Sequence, residues 1–322
     1  MGTTPPLLKY FRSQLLTQLP QPKKSFAGQT VIITGSSSGL GFEAAQHIVR
    51  LGVSKLIVAV RNLDKGRAAA ESIAAATGRR DVIEVWALDQ ADYASVKTFA
   101  NRCQKLERLD VVVANAGTHC HGPFSLAESN ERTITVNVIS TLLLSLLLLP
   151  KLRSTAVQHK CNTVLTFVGS FVHWMTEFHE SKANSILEEL RNEKAARMHE
   201  RYEVSKLMLL LCFRQLATEL TQPVAGRLTT SIVNPGSVKT PMARANPDLL
   251  IRLLYHPVFR STEVGSRTLA HAAEGHLDTQ GQYLCDCKPS PELVRGREVQ
   301  EKVWTELTAE WEKIAPGVMK NI

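Results

Sequence analysis

Residues 30–52 read TVIITGSSSGLGFEAAQHIVRLG. A five-residue apolar, β-branched run (30–34) enters a glycine-rich turn, Thr34-Gly35-Ser36-Ser37-Ser38-Gly39-Leu40-Gly41. The turn gives way to apolar residues at helical spacing. A strand that turns on glycines into a helix leaves the first helical N–H groups, and the positive end of the helix dipole, where a pyrophosphate can approach the backbone. The spacing is G-x-x-x-G-x-G rather than the commoner G-x-G-x-x-G, and a glycine cluster alone also serves tight packing. Its placement between strand and helix, at the head of the pattern described next, makes Gly35, Ser37, Ser38, Gly39, Leu40 and Gly41 a candidate dinucleotide cradle.

Outward from this stretch, apolar runs alternate with longer helical segments: 55–60 (KLIVAV), 82–87 (VIEVWA), 110–114 (DVVVA), 163–168 (TVLTFV), 229–233 (TTSIV) and 282–285 (QYLC). Runs that are continuously apolar suit strands covered on both faces. With residues 30–34 they predict a Rossmann-like, doubly wound α/β fold: a seven-stranded, mainly parallel sheet with helices on both faces. Ligands of such sheets lie beyond the carboxyl ends of the strands. The predicted organisation is an amphipathic arm and linker over 1–25, then a single domain over 26–322. That domain includes an insertion near 171–201 and a substrate-side segment near 241–280.

The charge balance is +8, with 38 Lys and Arg against 30 Asp and Glu. Lys9, Arg12, Lys23 and Lys24 account for half of the excess, within 24 residues that hold no acid. The remainder is scattered, without a basic run or interleaved aromatics, so nucleic acid is not an expected partner. Six spread cysteines form no C-x-x-C pair and have no histidines at zinc-finger spacing, so no metal is expected and a reducing, cytoplasmic location fits. Cys285 and Cys287 are not expected to act as a metal or redox pair. The most apolar stretch (136–150, VNVISTLLLSLLLLP) is shorter than the roughly 20 residues a bilayer needs and reads as a buried or interface helix. In the arm, Leu7, Leu8, Tyr10, Phe11, Leu15 and Leu16 recur with helical spacing. They predict a short helix packed on its own domain, with a membrane-surface helix as the alternative.

Two further patterns carry chemistry. The second predicted strand ends in Arg61-Asn62, with Lys65 beyond. An acid there would bind a free ribose hydroxyl, whereas a cation attracts a 2′-phosphate, so NADP is favoured over NAD. Tyr202-Glu203-Val204-Ser205-Lys206 opens an apolar helix. Tyrosine and lysine four residues apart share a helix face, so an ammonium can stabilise a phenolate and lower its pKa.

Together these motifs resemble the short-chain dehydrogenase/reductase family over residues 26–287, and more loosely the reductases of fungal secondary metabolism. The resemblance implies that Asp89 contacts adenine and that Asn115, Ala116 and Gly117 flank the adenosine ribose. It also implies that Asn137 organises a water leading to the active lysine and that Ser170 orients a substrate carbonyl. Tyr202 would act as general acid, with Lys206 also holding the ribose. Pro235, Gly236, Val238 and Thr240 would hold the nicotinamide. The leucine-rich helix of 142–149 is expected in the core and, with the helix after Tyr202, on a homodimer face.

The departure from the family is the thirty-one residues between Ser170 and Tyr202, more than its usual spacing. This insertion is expected as one or two helices over the cleft, either a lid contacting substrate through Phe171, His173, Trp174, Met175 and Phe178, or a surface decoration. His119 and His121 are candidates to face substrate or solvent. The function implied is NADP-dependent hydride transfer to or from a carbonyl or secondary alcohol of a lipophilic small molecule. The alternatives are epimerase or dehydratase chemistry on the same fold, or a non-catalytic dinucleotide sensor.

Overall fold

The computed structural model describes residues 6–119, 122–220, 227–244, 257–291 and 296–322. The seven apolar runs become β1 (Thr30–Thr34), β2 (Lys55–Val60), β3 (Ile83–Ala87), β4 (Val111–Ala114), β7 (Asn162–Val168), β8 (Arg227–Asn234) and β9 (Gln282–Cys285). Between β4 and β7 a small antiparallel hairpin, β5 (Leu126–Ala127) and β6 (Asn130–Glu131), stands apart from the sheet. The sheet order is β10 (Lys288–Pro289), then β9-β8-β7-β4-β1-β2-β3, parallel throughout except at one edge. There β10 (Lys288–Pro289) pairs antiparallel with β9, making eight strands rather than seven. The eighth is only two residues long and follows a tight turn in which Asp286 and Cys287 take φ values of +53° and +63°. Cys287 therefore lies off the strand that carries Cys285, and burial pushes its thiol up to about 12.

The continuous apolar runs have a direct structural reason. Ile32 packs into one fully buried cluster, while its neighbours Val31 and Ile33 pack into the other on the opposite sheet face. Successive side chains alternate across a strand, so a sheet covered on both faces needs every position apolar. Winding reverses between β1 and β4, which opens a crevice at their carboxyl ends.

Residues Arg132–Gln158 form a helical stretch that is long and apolar enough to cross a bilayer, but 83% of its most apolar window is buried within the chain. Part of what covers it is the C-terminal helix (Arg297–Ile314) and the short turn Val318–Asn321. Trp311, fully buried, donates its indole N–H to Ile139 O (3.1 Å), and Asn321 Nδ2 donates to Leu146 O (3.1 Å). Gln300 of the same C-terminal helix donates to Gln215 on the helix that begins at Arg201 (3.1 Å). On both helices, part of the surface expected to face a partner is covered by the chain's own C-terminal residues. Nothing in the helical periodicity of 142–149 distinguishes a partner from a distant part of the same chain.

The insertion also differs from expectation. Only its start reaches the cleft. Phe178, Ile186, Leu187 and Leu190 are buried in the main core. Glu306 of the C-terminal helix accepts from Ser185 Oγ, Ile186 N and Leu187 N, which satisfies the amino end of the helix Ile186–Arg191. The insertion braces the C-terminal helix instead of hanging over the site.

Candidate active site

The glycine turn is shaped by contact. Gly35 has φ +67°, and a Cβ there would lie 2.8 Å from Ala116 Cα; a Cβ on Gly41 would lie 2.5 Å from Asn115 Nδ2. The turn and the end of β4 are bonded together: Thr34 Oγ1 accepts from Asn115 N (3.0 Å) and Ala116 N (2.9 Å), and Asn115 Nδ2 donates to Thr34 O (2.8 Å). Ser38 caps the following helix (Gly39–Arg50) without a side-chain hydrogen bond, so its first amides are left for a ligand. A Cβ on Gly39 would meet nothing closer than 3.7 Å. Uncapped amides beside an open backbone approach fit a pyrophosphate.

One cleft of about 830 Å³, toward the upper end of ordinary ligand pockets, is lined by residues from almost every sequence motif. Gly35, Ser37, Ser38, Gly39 and Leu40 line it, and so do Arg61, Asn62, Lys65 and Asp89. Asn115, Ala116, Gly117 and His119 follow, then Ser170, Tyr202 and Lys206, then Pro235, Gly236, Val238 and Thr240. Arg61 and Lys65 are exposed at its rim. Asn62 also has a local structural task, because its side chain accepts from Lys65 N and caps the helix Leu63–Thr77. Gly41 and Asn137 stand behind the lining. His121 lies outside the described residues.

Asn137 sits in a π-helical turn (Thr135–Ser140), a form frequent at functional sites. Its Oδ1 accepts from Thr118 N (2.8 Å), while Nδ2 donates to Thr118 O (2.9 Å) and Ser205 Oγ (3.0 Å). Buried and clamped on both sides, it positions the 117–118 backbone against the Tyr202 helix. Ser170 ends the β7 segment in extended conformation and caps the short turn Phe171–Trp174. Its carbonyl meets His173 Nδ1 at 2.6 Å. His173 is thus buried behind the site and Phe178 lies in the core, while Phe171, Trp174 and Met175 face the cleft.

The helix Arg201–Glu219 carries Tyr202 and Lys206. Its start is fixed by Arg201, 1% exposed, with Glu180 Oε1 at 3.3 Å and Glu131 Oε2 at 3.8 Å. A buried ion pair of this kind adds little net stability but fixes geometry. Lys206 Nζ lies 5.6 Å from the Tyr202 ring centroid and donates to Val168 O at 2.8 Å. Burial pushes Lys206 down to about 8. It also raises Tyr202 above its ordinary value, helped by the nearby Glu203 charge. Both shifts have the same cause, the removal of the two groups from water. His119 stacks on Tyr202 (4.5 Å, 16°).

Sequence reasoning missed a further wall. Tyr10 and Phe11 of the N-terminal helix (Pro6–Leu16) line the same cleft. Tyr10 Oη bonds Ser237 Oγ at 2.7 Å. The buried face of this helix carries Ser13 and Gln14, whereas Leu8, Leu15 and Leu16 are exposed. Of the apolar positions, Tyr10 and Phe11 therefore face the domain, while Leu8, Leu15 and Leu16 do not.

A nucleotide-cradling turn at the switch point of a doubly wound sheet, joined in one cleft to a Tyr-x-x-x-Lys helix, defines a dinucleotide-dependent dehydrogenase fold. The short chain dehydrogenase family profile matches residues 29–172. A short chain dehydrogenase/reductase of Cryptosporiopsis sp. (strain 8999) is 42% identical over 323 residues, covering 97% of this chain and 99% of that protein. A short chain dehydrogenase of Emericella nidulans is 43% identical over 287 residues, covering 87% and 90%. Among solved structures, the Pseudomonas aeruginosa RhlG/NADP complex superposes with a TM-score of 0.61 at 21% identity, over 82% of this chain and 97% of that one. The chain belongs to the short-chain dehydrogenase/reductase family, and its likeness to fungal members holds.

Proposed function

We propose that the protein is a cytoplasmic, NADP-dependent oxidoreductase that interconverts a carbonyl and a secondary alcohol on a lipophilic small molecule of fungal secondary metabolism. The single observation carrying this reading is that Ser170, Tyr202 and Lys206 open onto the same cleft as the glycine turn. The exposed Arg61 and Lys65 at the adenosine end favour the 2′-phosphate, and several fold neighbours are complexes with NADP or NADPH.

The turn, the 115–117 segment and the 235–240 loop would hold NADPH, which would supply the hydride. Ser170 and Tyr202 hydroxyls hydrogen-bond the substrate oxygen, where negative charge grows. Tyr202, a phenol already protonated at neutral pH, gives its proton to the forming alkoxide. Lys206, tied to Val168 O, sets the field beneath the phenol. Asn137 holds the floor of the site through Thr118 and Ser205.

The test is oxidation of NADPH, followed by its absorbance, with a panel of ketones and aldehydes. Turnover is expected for lipophilic members. Tyr202→Phe is expected to lower kcat by about 10²–10⁴, the usual worth of a general acid, while leaving NADPH affinity unchanged. Unaltered turnover in Tyr202→Phe would remove the mechanism.

A further inference from the structure

The N-terminal helix is bound to the loop after β8 by contacts that local sequence gives no hint of. Besides the Tyr10–Ser237 bond, Gln14 Oε1 accepts from Ser237 N (3.2 Å), and Gln14 Nε2 fills the space where a Cβ on Gly236 would sit. Gly236 has φ +77°. Glycine is thus required there twice over, by backbone conformation and by the helix above it.

A buried arginine completes the attachment. Arg260, 7% exposed, donates through Nη2 to Ser13 O (2.6 Å) and Asp286 Oδ1 (2.7 Å), and through Nη1 to Pro235 O (3.4 Å). Ser13 Oγ donates to the same Asp286 oxygen (2.8 Å). One guanidinium thereby joins the N-terminal helix, the 235–240 loop and the β9–β10 turn. The linker is fastened as well: Arg267 donates to Leu19 O (2.9 Å), and Glu274 accepts from the backbone of Lys23 (2.8 Å) and Lys24 (3.0 Å).

On its inner side this helix presents rings. Tyr10 lies against Phe171 with centroids 4.6 Å apart and planes inclined by 34°, and Phe11 meets Tyr10 edge-on at 5.3 Å. Phe171 directly follows Ser170, so Tyr10 stands beside the residue placed at the substrate oxygen. With Trp174 and Met175 these residues make an apolar, ring-lined end to the cleft. Flat, weakly hydrated ligands gain most from such a wall, through burial and ring stacking.

We propose that the N-terminal helix is a built-in wall of the substrate site, that Tyr10 is its specificity-determining residue, and that the wall selects cyclic, ring-bearing ketones or alcohols over short aliphatic ones. This rests on the oxidoreductase reading for the term substrate, but the binding it predicts is independent of turnover. The phenol ring supplies one face of the pocket. Its hydroxyl, bonded to Ser237, ties that face to the loop assigned to the nicotinamide.

The experiment uses the full chain with NADP present and two probes, 2-tetralone and butan-2-one, in parallel calorimetric binding and steady-state turnover. Tyr10→Ala is expected to weaken tetralone binding about tenfold and to leave butanone binding within about twofold, a ring–ring contact being worth roughly 0.5–1.5 kcal/mol. Tyr10→Phe, which keeps the ring, is expected to retain tetralone affinity within about threefold. Both variants are expected to hold the unaltered NADP affinity and Tm within a few degrees. Equal losses for both ketones in Tyr10→Ala, or no loss for either, overturn the proposal. So does failure of the unaltered protein to bind tetralone. Tetralone binding that depends on Tyr10 without turnover of either ketone sinks the oxidoreductase reading and leaves the wall standing.

Discussion

Lys206→Met separates what Lys206 does for chemistry from what it does to stability. The ammonium is fully buried and pushed down to about 8, from an ordinary value near 10.4. At about 1.4 kcal/mol per pH unit, holding it charged costs the fold roughly 3 kcal/mol at pH 7. Methionine has similar length and no charge, but it leaves Val168 O without the 2.8 Å bond it accepts from Lys206, a loss of about 1 kcal/mol. The variant is therefore expected to be more stable than the unaltered protein by about 2 kcal/mol at pH 7. The sign reverses with pH. The folded pKa of this base lies below the unfolded one, so the cost is fully present below about 8. It disappears as pH climbs to about 10.4, because over that interval only the unfolded chain still binds the proton. The difference should thus close and end with the unaltered protein about 1 kcal/mol ahead. Urea unfolding of both proteins at pH 7, 8, 9 and 10, without added nucleotide, measures it, and the other titrating groups cancel in the comparison. A stability difference that stays constant from pH 7 to 10 would refute the reasoning. Turnover of the variant should be lost throughout.

Two other outcomes follow from the cofactor half of the site. Arg61→Asp is expected to shift the ratio of kcat/KM for NADPH over NADH toward NADH by about tenfold or more, since hydrogen bonds to charged groups are worth roughly 1.5–3 kcal/mol; an unchanged ratio takes Arg61 out of the site. Gly35→Ala should lower stability by about 2–4 kcal/mol, combining left-handed backbone strain with overpacking against Ala116. Gly39→Ala, with a similar positive φ but no contact closer than 3.7 Å, should cost only about 1–2 kcal/mol. Calorimetric Tm values compare them, and equal shifts would contradict the contact argument.

Much of the cleft was legible because its parts are local. A glycine turn, a strand end and a tyrosine–lysine pair one helical turn apart are each set by a few neighbouring residues, and the parallel strands deliver them all to one edge. The pairing of Tyr202 with Lys206 could be read from spacing, whereas the burial of both groups could not. The packing of the rest of the insertion was illegible for a related reason. Ser185, Ile186 and Leu187 are satisfied by Glu306, more than a hundred residues away, and no periodicity in the insertion encodes that partner.

By itself, then, the sequence determined the alternation of strands and helices, the turn chemistry of residues 34–41 and the pairing of Tyr202 with Lys206. Their signals are continuous apolar runs, a glycine cluster and a four-residue spacing, written in the chain where they act. Only the tertiary structure decided that the N-terminal helix turns Tyr10 toward the cleft while exposing Leu8, Leu15 and Leu16. It alone also decided that the C-terminal helix covers the leucine-rich helices. Both depend on contacts between segments far apart in the chain, where the winning face is chosen by polar partners such as Ser237, Arg260 and Glu306 as much as by apolar area.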